Sequence, residues 1–166
     1  MKFVSKSLKD TQNFAGEVLK KLGADEKSYF AQLSPTSQRQ RATVLLLEGD
    51  LGSGKTTFVQ FLAQALGVKE NLTSPTFVLM KSYKVSSQKN ERIRLSIKNL
   101  VHIDAYRLTS GQDLKNLGWD KLVTNPDNLI VVEWPELVAD LWDGSELKIK
   151  FKFVDEKTRE IDTGRL

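Results

Sequence analysis

A chain of 166 residues, 40% apolar and 28% charged, is sized for one domain with a buried core, which excludes a disordered chain. The absence of cysteine excludes disulfides, thiolate chemistry and Cys-based zinc sites, and no stretch approaches the ~18 apolar residues of a membrane span. A formal net charge of +4, with a pI near 9.2, is a mild excess that fits an RNA-linked or acidic partner without requiring one.

Residues 1–166 read as a single domain, without repeat, linker or low-complexity segment. The opening Met-Lys-Phe-Val-Ser-Lys-Ser has no apolar stretch of the kind a secretion signal needs, so a soluble, cytoplasmic protein is expected. Ser7 and Asp10 resemble a capping box, and Phe14, Val18, Leu19 and Leu22 mark one face of a helix that Gly23 ends. Tyr29, Phe30 and Leu33 could extend a helix, and residues 34–41 read as a polar loop. Val44 to Leu47 is an apolar run of the kind found in a strand buried on both faces.

Directly after that run, Gly49-Asp50-Leu51-Gly52-Ser53-Gly54-Lys55-Thr56 fits the pattern Gly-x-x-x-x-Gly-Lys-Ser/Thr at every fixed position. Phe58, Phe61, Leu62, Ala65 and Leu66 then recur at helical spacing, so a strand feeds a helix through a glycine-rich turn. Such a turn wraps a phosphate with its N–H groups while the helix aims its positive end at the same anion. Lys55 is placed to reach the β- and γ-phosphates, and the Thr56 hydroxyl to ligate magnesium. A plain glycine-rich turn with a solvated lysine is the bland alternative.

Beyond this loop, Thr73-Ser74-Pro75-Thr76 leads into an extended run from Phe77 to Val85. Residues 92–98 alternate polar with apolar and could pair with that run as a hairpin. Leu100 to Asp104 and Leu129 to Glu133 are apolar strands that each end in an acid, with short helices expected at 113–117 and 135–141. Leu147 to Phe153 alternates with three lysines, and its partner is expected at Arg159 to Thr163. Strands alternating with helices predict an α/β fold, a P-loop NTPase-like sheet with a parallel centre and antiparallel edge strands, flanked by helices.

A phosphate loop alone holds a nucleotide, and hydrolysis needs acids for the metal and for the attacking water. In open α/β sheets those acids lie at the carboxyl ends of strands, where Asp104 and Glu133 are predicted. Metal ligation and water orientation stay open between them, as does a structural role as a cap or solvated strand end. Thr76 sits in a stiff Pro-bearing segment that suits a nucleotide switch, or that only starts a strand. His102, the one histidine, shares a strand face with Asp104 and reads as a hydrogen-bonded structural residue. Arg107 could counter phosphate charge or pair with Asp104. The basic region 81–98 reads mainly as solvated faces.

The order Gly-Asp-Leu-Gly-Ser-Gly-Lys-Thr-Thr-Phe at 49–58, Ser-Pro-Thr-Phe at 74–77, His-Ile-Asp-Ala-Tyr-Arg-Leu at 102–108 and Glu-Trp-Pro-Glu at 133–136 resembles the TsaE (YjeE) family. Members are small bacterial ATPases required for threonylcarbamoyladenosine in tRNA. The resemblance implies that Asp50, Leu51, Gly52, Ser53, Gly54, Lys55, Thr56 and Thr57 hold ATP phosphates, with Thr56 and Glu133 around Mg2+ and Asp104 supporting metal and water. Ser74 to Phe77, with Thr76, becomes the switch-like segment, and Thr11 and Trp134 lie near the nucleoside. The implied partners are the TsaD and TsaB proteins, which transfer the threonylcarbamoyl group; tRNA is met indirectly, and neither membrane nor DNA is expected. Residues 24–42 and 84–99 look longer than the family's usual connections, and Ser53 stands where alanine is common.

Weak, partner-regulated ATP hydrolysis is therefore the leading expectation. A small P-loop kinase with Arg92 and Arg94 on a lid is a second enzyme reading, and a non-catalytic nucleotide-sensing or RNA-binding module a third. GTP is disfavoured because neither Asn-Lys-x-Asp nor Asp-x-x-Gly occurs.

Overall fold

The computed structural model describes residues 2–24, 41–75, 77–86 and 97–164. Seven strands form one sheet: β1 (Lys2–Ser5), β2 (Thr43–Glu48), β3 (Met80–Lys84), β4 (Asn99–Asp104), β5 (Asn128–Glu133), β6 (Leu147–Phe153) and β7 (Arg159–Asp162). Their order is β1-β7-β6-β2-β5-β4-β3. The centre, β6-β2-β5-β4, is parallel, while β3 joins β4, β7 joins β6 and β1 joins β7 antiparallel. This is the expected mixed α/β sheet.

The central strands are continuous apolar runs because both faces are covered. On one face, Leu45, Leu47, Leu129 and Val131 pack under α1 (Leu8–Ala24) and α2 (Lys55–Ala65), with Phe14, Leu19, Phe58 and Leu62. On the other, Val44, Leu46, Ile103, Ile130 and Val132 meet Leu114 of α3 (Gly111–Asn116), Trp119 of α4 (Trp119–Val123) and Val138 of the 3-10 segment Pro135–Leu141. Strand alternation sorts neighbouring residues into the two cores. A column of rings crosses the first core, with centroid spacings of 5.0 Å for Phe3–Phe14, 5.6 Å for Phe14–Phe58 and 5.4 Å for Phe58–Phe151. It ties β1 and α1 to the helix behind the glycine-rich loop and to β6.

Several boundaries differ from the sequence expectation. Helix α1 runs through Gly23 to Ala24, and its Asp10 carboxylate accepts from the Lys6 amide while Ser7 Oγ accepts from the Asp10 amide. The expected long strand from Phe77 shrinks to Met80–Lys84, because Phe77 to Leu79 form a turn in which Leu79 has φ 64°. Its antiparallel partner is β4; the expected partner at 92–98 lies outside the described residues except for Ile97 and Lys98, whose carbonyl accepts from Val85. The loop expected at 34–41 and the lid residues Arg92 and Arg94 also lie outside them, Arg41 excepted. Helix α3 starts two residues early because Ser110 and Asp113 form a capping box. Strand β1 and helix α4 had no periodic signal; β1 exists through its pairing with β7, and α4 turns on Gly118 at φ 92°. Among the described residues no helix is long and apolar enough to cross a membrane.

Phe58 touches two rings and is 0% exposed, so Phe58→Ala is expected to cost about 3–5 kcal/mol. Urea unfolding of the variant against the parent measures the loss.

Candidate functional site

The glycine-rich loop leaves β2 at the carboxyl edge of the parallel sheet and enters α2 there. Gly49 has φ 139°, and a Cβ on it would lie 2.2 Å from the Phe151 carbonyl oxygen, so no larger residue fits this turn. Gly54 caps α2 at φ 100° without a side-chain bond. The first intrahelical bond is Phe58 N–H to Gly54 O, which leaves the amides of residues 55–57 without helical acceptors. They and the helix dipole form an anion-attracting end.

Asp104 and Glu133 are register partners at the ends of the adjacent parallel strands β4 and β5, and both are buried. The Thr56 hydroxyl lies 2.9 and 3.0 Å from the two Glu133 carboxylate oxygens and donates to that carboxylate. His102 Nε2 lies 2.8 Å from Glu133 Oε1. The nitrogen that faces a carboxylate carries the proton, so Nδ1 is left as a buried atom with no partner among the described residues. Asp104 accepts from the Tyr106 amide at 3.1 Å and from Ser74 Oγ at 3.4 Å. His102 is thus the hydrogen-bonded structural residue expected, and Arg107 is exposed.

Lys55 folds back over the loop: Nζ donates to the Gly49 and Asp50 carbonyls, the latter at 3.0 Å, and stands 3.9 Å from the Trp134 ring centroid. Burial lowers its pKa from the usual lysine value, opposed by the nearby Glu133, Glu136, Asp104 and Asp50 carboxylates. Trp134 has φ 60°, an uncommon backbone for a bulky residue that turns the chain from β5 into Pro135. The Tyr106 ring, 5.2 Å away, and a 2.8 Å bond from Trp142 Nε1 to Pro135 O brace that turn.

A cavity of about 380 Å3 collects Leu51, Gly52, Ser53, Gly54, Lys55, Thr56, Thr57, Asp104, Glu133 and Trp134, so the loop and both acids predicted from the sequence meet. Asp50 contributes its carbonyl to Lys55. A neighbouring cavity of about 290 Å3 shares Ser53, Gly54 and Thr57 and contains Thr11, whose hydroxyl lies 2.8 Å from Ser5 Oγ. Trp134 does not line it. Of the two residues expected near the nucleoside, Thr11 thus lines the smaller cavity, while Trp134 lines the one with the acids, its ring under the Lys55 cation. Thr76 lies outside the described residues, and Ser74 makes the segment's described contact with Asp104. Sequence reasoning gave no role to Tyr106, although it lies within the motif at 102–108, and missed Arg159, which reads as an ordinary strand residue yet lines both cavities.

Among the described residues no three His, Cys, Asp or Glu side chains cluster as a protein metal cage. One hydroxyl and two carboxylates fit magnesium, a hard ion that takes few protein oxygens and completes its shell with water and phosphate.

The chain matches the family described as threonylcarbamoyl adenosine biosynthesis protein TsaE over residues 5–161, a span that holds the loop, both acids and both cavity walls. The chain belongs to the TsaE family. It is 30% identical over 154 residues to the tRNA threonylcarbamoyladenosine biosynthesis protein TsaE of Rickettsia typhi, covering 92% of this chain and 87% of that one. To the protein of the same name from Treponema pallidum it is 35% identical over 122 residues, 74% of this chain and 82% of the relative. The crystal structure of Bacillus subtilis YdiB superposes with a TM-score of 0.62 at 26% identity, covering 99% of this chain and 86% of the other. Within this TsaE family member, the glycine-rich loop and both acids all fall inside the matched span.

Two outcomes test the site's electrostatics. His102→Leu is expected to destabilise by about 1–3 kcal/mol, since the buried Glu133 carboxylate loses a donor, and His102→Gln, which can offer an N–H near Nε2, to recover part of it in urea unfolding. Lys55 binds its proton less tightly when folded, so between that lowered pKa and 10.5 the unfolded chain holds more protons. The stability that Lys55 contributes therefore rises with pH through that window, and Lys55→Met should show a smaller alkaline rise in urea midpoint than the parent.

Proposed function

We propose that this chain is a cytoplasmic, magnesium-dependent ATPase that serves threonylcarbamoyladenosine formation in tRNA, acting with the TsaB and TsaD proteins and reaching tRNA through them. The observation that supports the ATPase reading best is the junction of Thr56, Glu133 and His102 beside Asp104 at the mouth of the phosphate loop. The pathway is supported by family membership and by the names of the relatives, and the TsaB and TsaD partners are what the resemblance of the four motifs implies.

The amides at the start of α2 would hold phosphate oxygens, and Lys55 would exchange the Gly49 and Asp50 carbonyls for charged oxygens, a stronger class of bond. The Trp134 ring keeps the ammonium near this position during the exchange. Thr56 and Glu133 would hold magnesium, with His102 fixing the carboxylate's orientation. Bound there, the ion would offset charge on the β- and γ-phosphates. Asp104, held by the Tyr106 amide, would orient the attacking water and accept a hydrogen bond from it; its longer Ser74 contact is the one that yields. The water oxygen bonds to the γ-phosphorus while the bond to the bridging oxygen breaks, and ADP leaves with that electron pair.

Phosphate release from magnesium and ATP is expected to be slow for the chain alone and faster with TsaB and TsaD. Lys55→Ala and Glu133→Gln should each lower it by roughly 100-fold or more. The reading fails if no mixture releases phosphate, or if Lys55→Ala does so as fast as the parent.

A further inference from the structure

We propose that Arg159 contacts the phosphates of the bound nucleotide, supplying from the β6–β7 hairpin positive charge that the phosphate loop by itself lacks. The proposal rests on the ATP reading above and adds a residue from the far end of the chain to that site.

Charge balance is the first argument. The cavity that holds the acids is lined by two cations, Lys55 and Arg159. Lys55 lies near the Glu133, Glu136, Asp104 and Asp50 carboxylates, so its charge already has anionic neighbours before a polyphosphate arrives. A second cation on the cavity wall would share with Lys55 and the loop amides the charge of a triphosphate.

Placement is the second. The Cγ and Nε atoms of Arg159 lie 4.0 Å from the position a Cβ would take on Gly54, the residue that opens α2. Arg159 is also part of the wall of both cavities, at the point where they share Ser53, Gly54 and Thr57. A group there borders the amide-lined turn and faces the same cavity as Asp104 and Glu133.

Preorganisation is the third. The guanidinium carbon stands 4.5 Å from the Phe153 ring centroid, and one Nη donates to the carbonyls of Asp155, at 2.5 Å, and Thr158, at 2.9 Å. The Asp155 carboxylate is turned to the Lys157 and Thr158 amides instead. Among the described residues no carboxylate forms an ion pair with Arg159 within 4.0 Å; the ring and neutral carbonyls hold the side chain in place, and the Asp155 carboxylate feels its charge without bonding to it. An arginine held this way loses little freedom on meeting an anion, and its planar fork suits phosphate oxygens.

The test is calorimetric titration of the full chain in EDTA, with ATP and separately with inorganic triphosphate, alongside unfolding midpoints of the unliganded variants. Arg159→Gln keeps N–H donors for the loop carbonyls but removes the charge; it should weaken both ligands about tenfold or more. Arg159→Lys should recover part of that loss. Lys148→Gln removes the same charge from the opposite face of β6, where Lys148 pairs with Glu48, and should stay within about fivefold of the parent. Retention of both affinities in Arg159→Gln, while Lys55→Ala loses them, overturns the proposal and leaves the ATP reading standing. Loss for ATP alone, with inorganic triphosphate unaffected, also overturns it, since the contact is then to base or ribose. Failure of the parent to bind ATP removes the ATP reading, and the proposal with it.

Discussion

The site depends on one buried carboxylate. Glu133 is almost fully removed from water, and a charge in that position is tolerable only when donors surround it. Thr56 approaches from the first turn of α2 and His102 from β4, so three elements converge on one group. The loop, the helix behind it and two central strands are thereby held in mutual register by a bond set that none of them could make alone.

The apolar layers make that convergence possible. Parallel pairing of β4 with β5 places Asp104 opposite Glu133, and pairing of β2 with β5 brings the glycine-rich loop to the same edge. The column of phenylalanines fixes α1 and β6 against α2 from behind. The close approach of Gly49 to the Phe151 carbonyl shows the cost of this arrangement, because the loop has no room for a side chain where it passes β6. Uncommon backbone at Trp134 and Leu79 falls on the two segments that border Asp104 and Glu133, where packing must overcome local preference.

Two neighbouring cavities divide around the loop. The acids, Lys55 and Trp134 occupy one side, and Thr11 of α1 the other, with Ser53, Gly54 and Thr57 between them. Thr11 of the first helix and Arg159 of the last strand thereby line one cavity, although they lie at opposite ends of the chain.

Much was legible in the residues themselves. The glycine spacing, the apolar runs closed by Asp104 and Glu133, and the lysine-alternating strand at 147–153 are local patterns, and local patterns follow from backbone sterics and strand or helix period. Strand β1 was not legible, since a four-residue edge strand has too little periodicity and owes its existence to β7. Nor was the pairing of Glu133 with Thr56 and His102, the contact of the Trp134 ring with Lys55, or the presence of Arg159 on the cavity wall. Those contacts join residues far apart in the chain. Strand order and register decide them, and those are set by how two apolar faces of a sheet are buried together, a property of the whole packed molecule rather than of any one stretch.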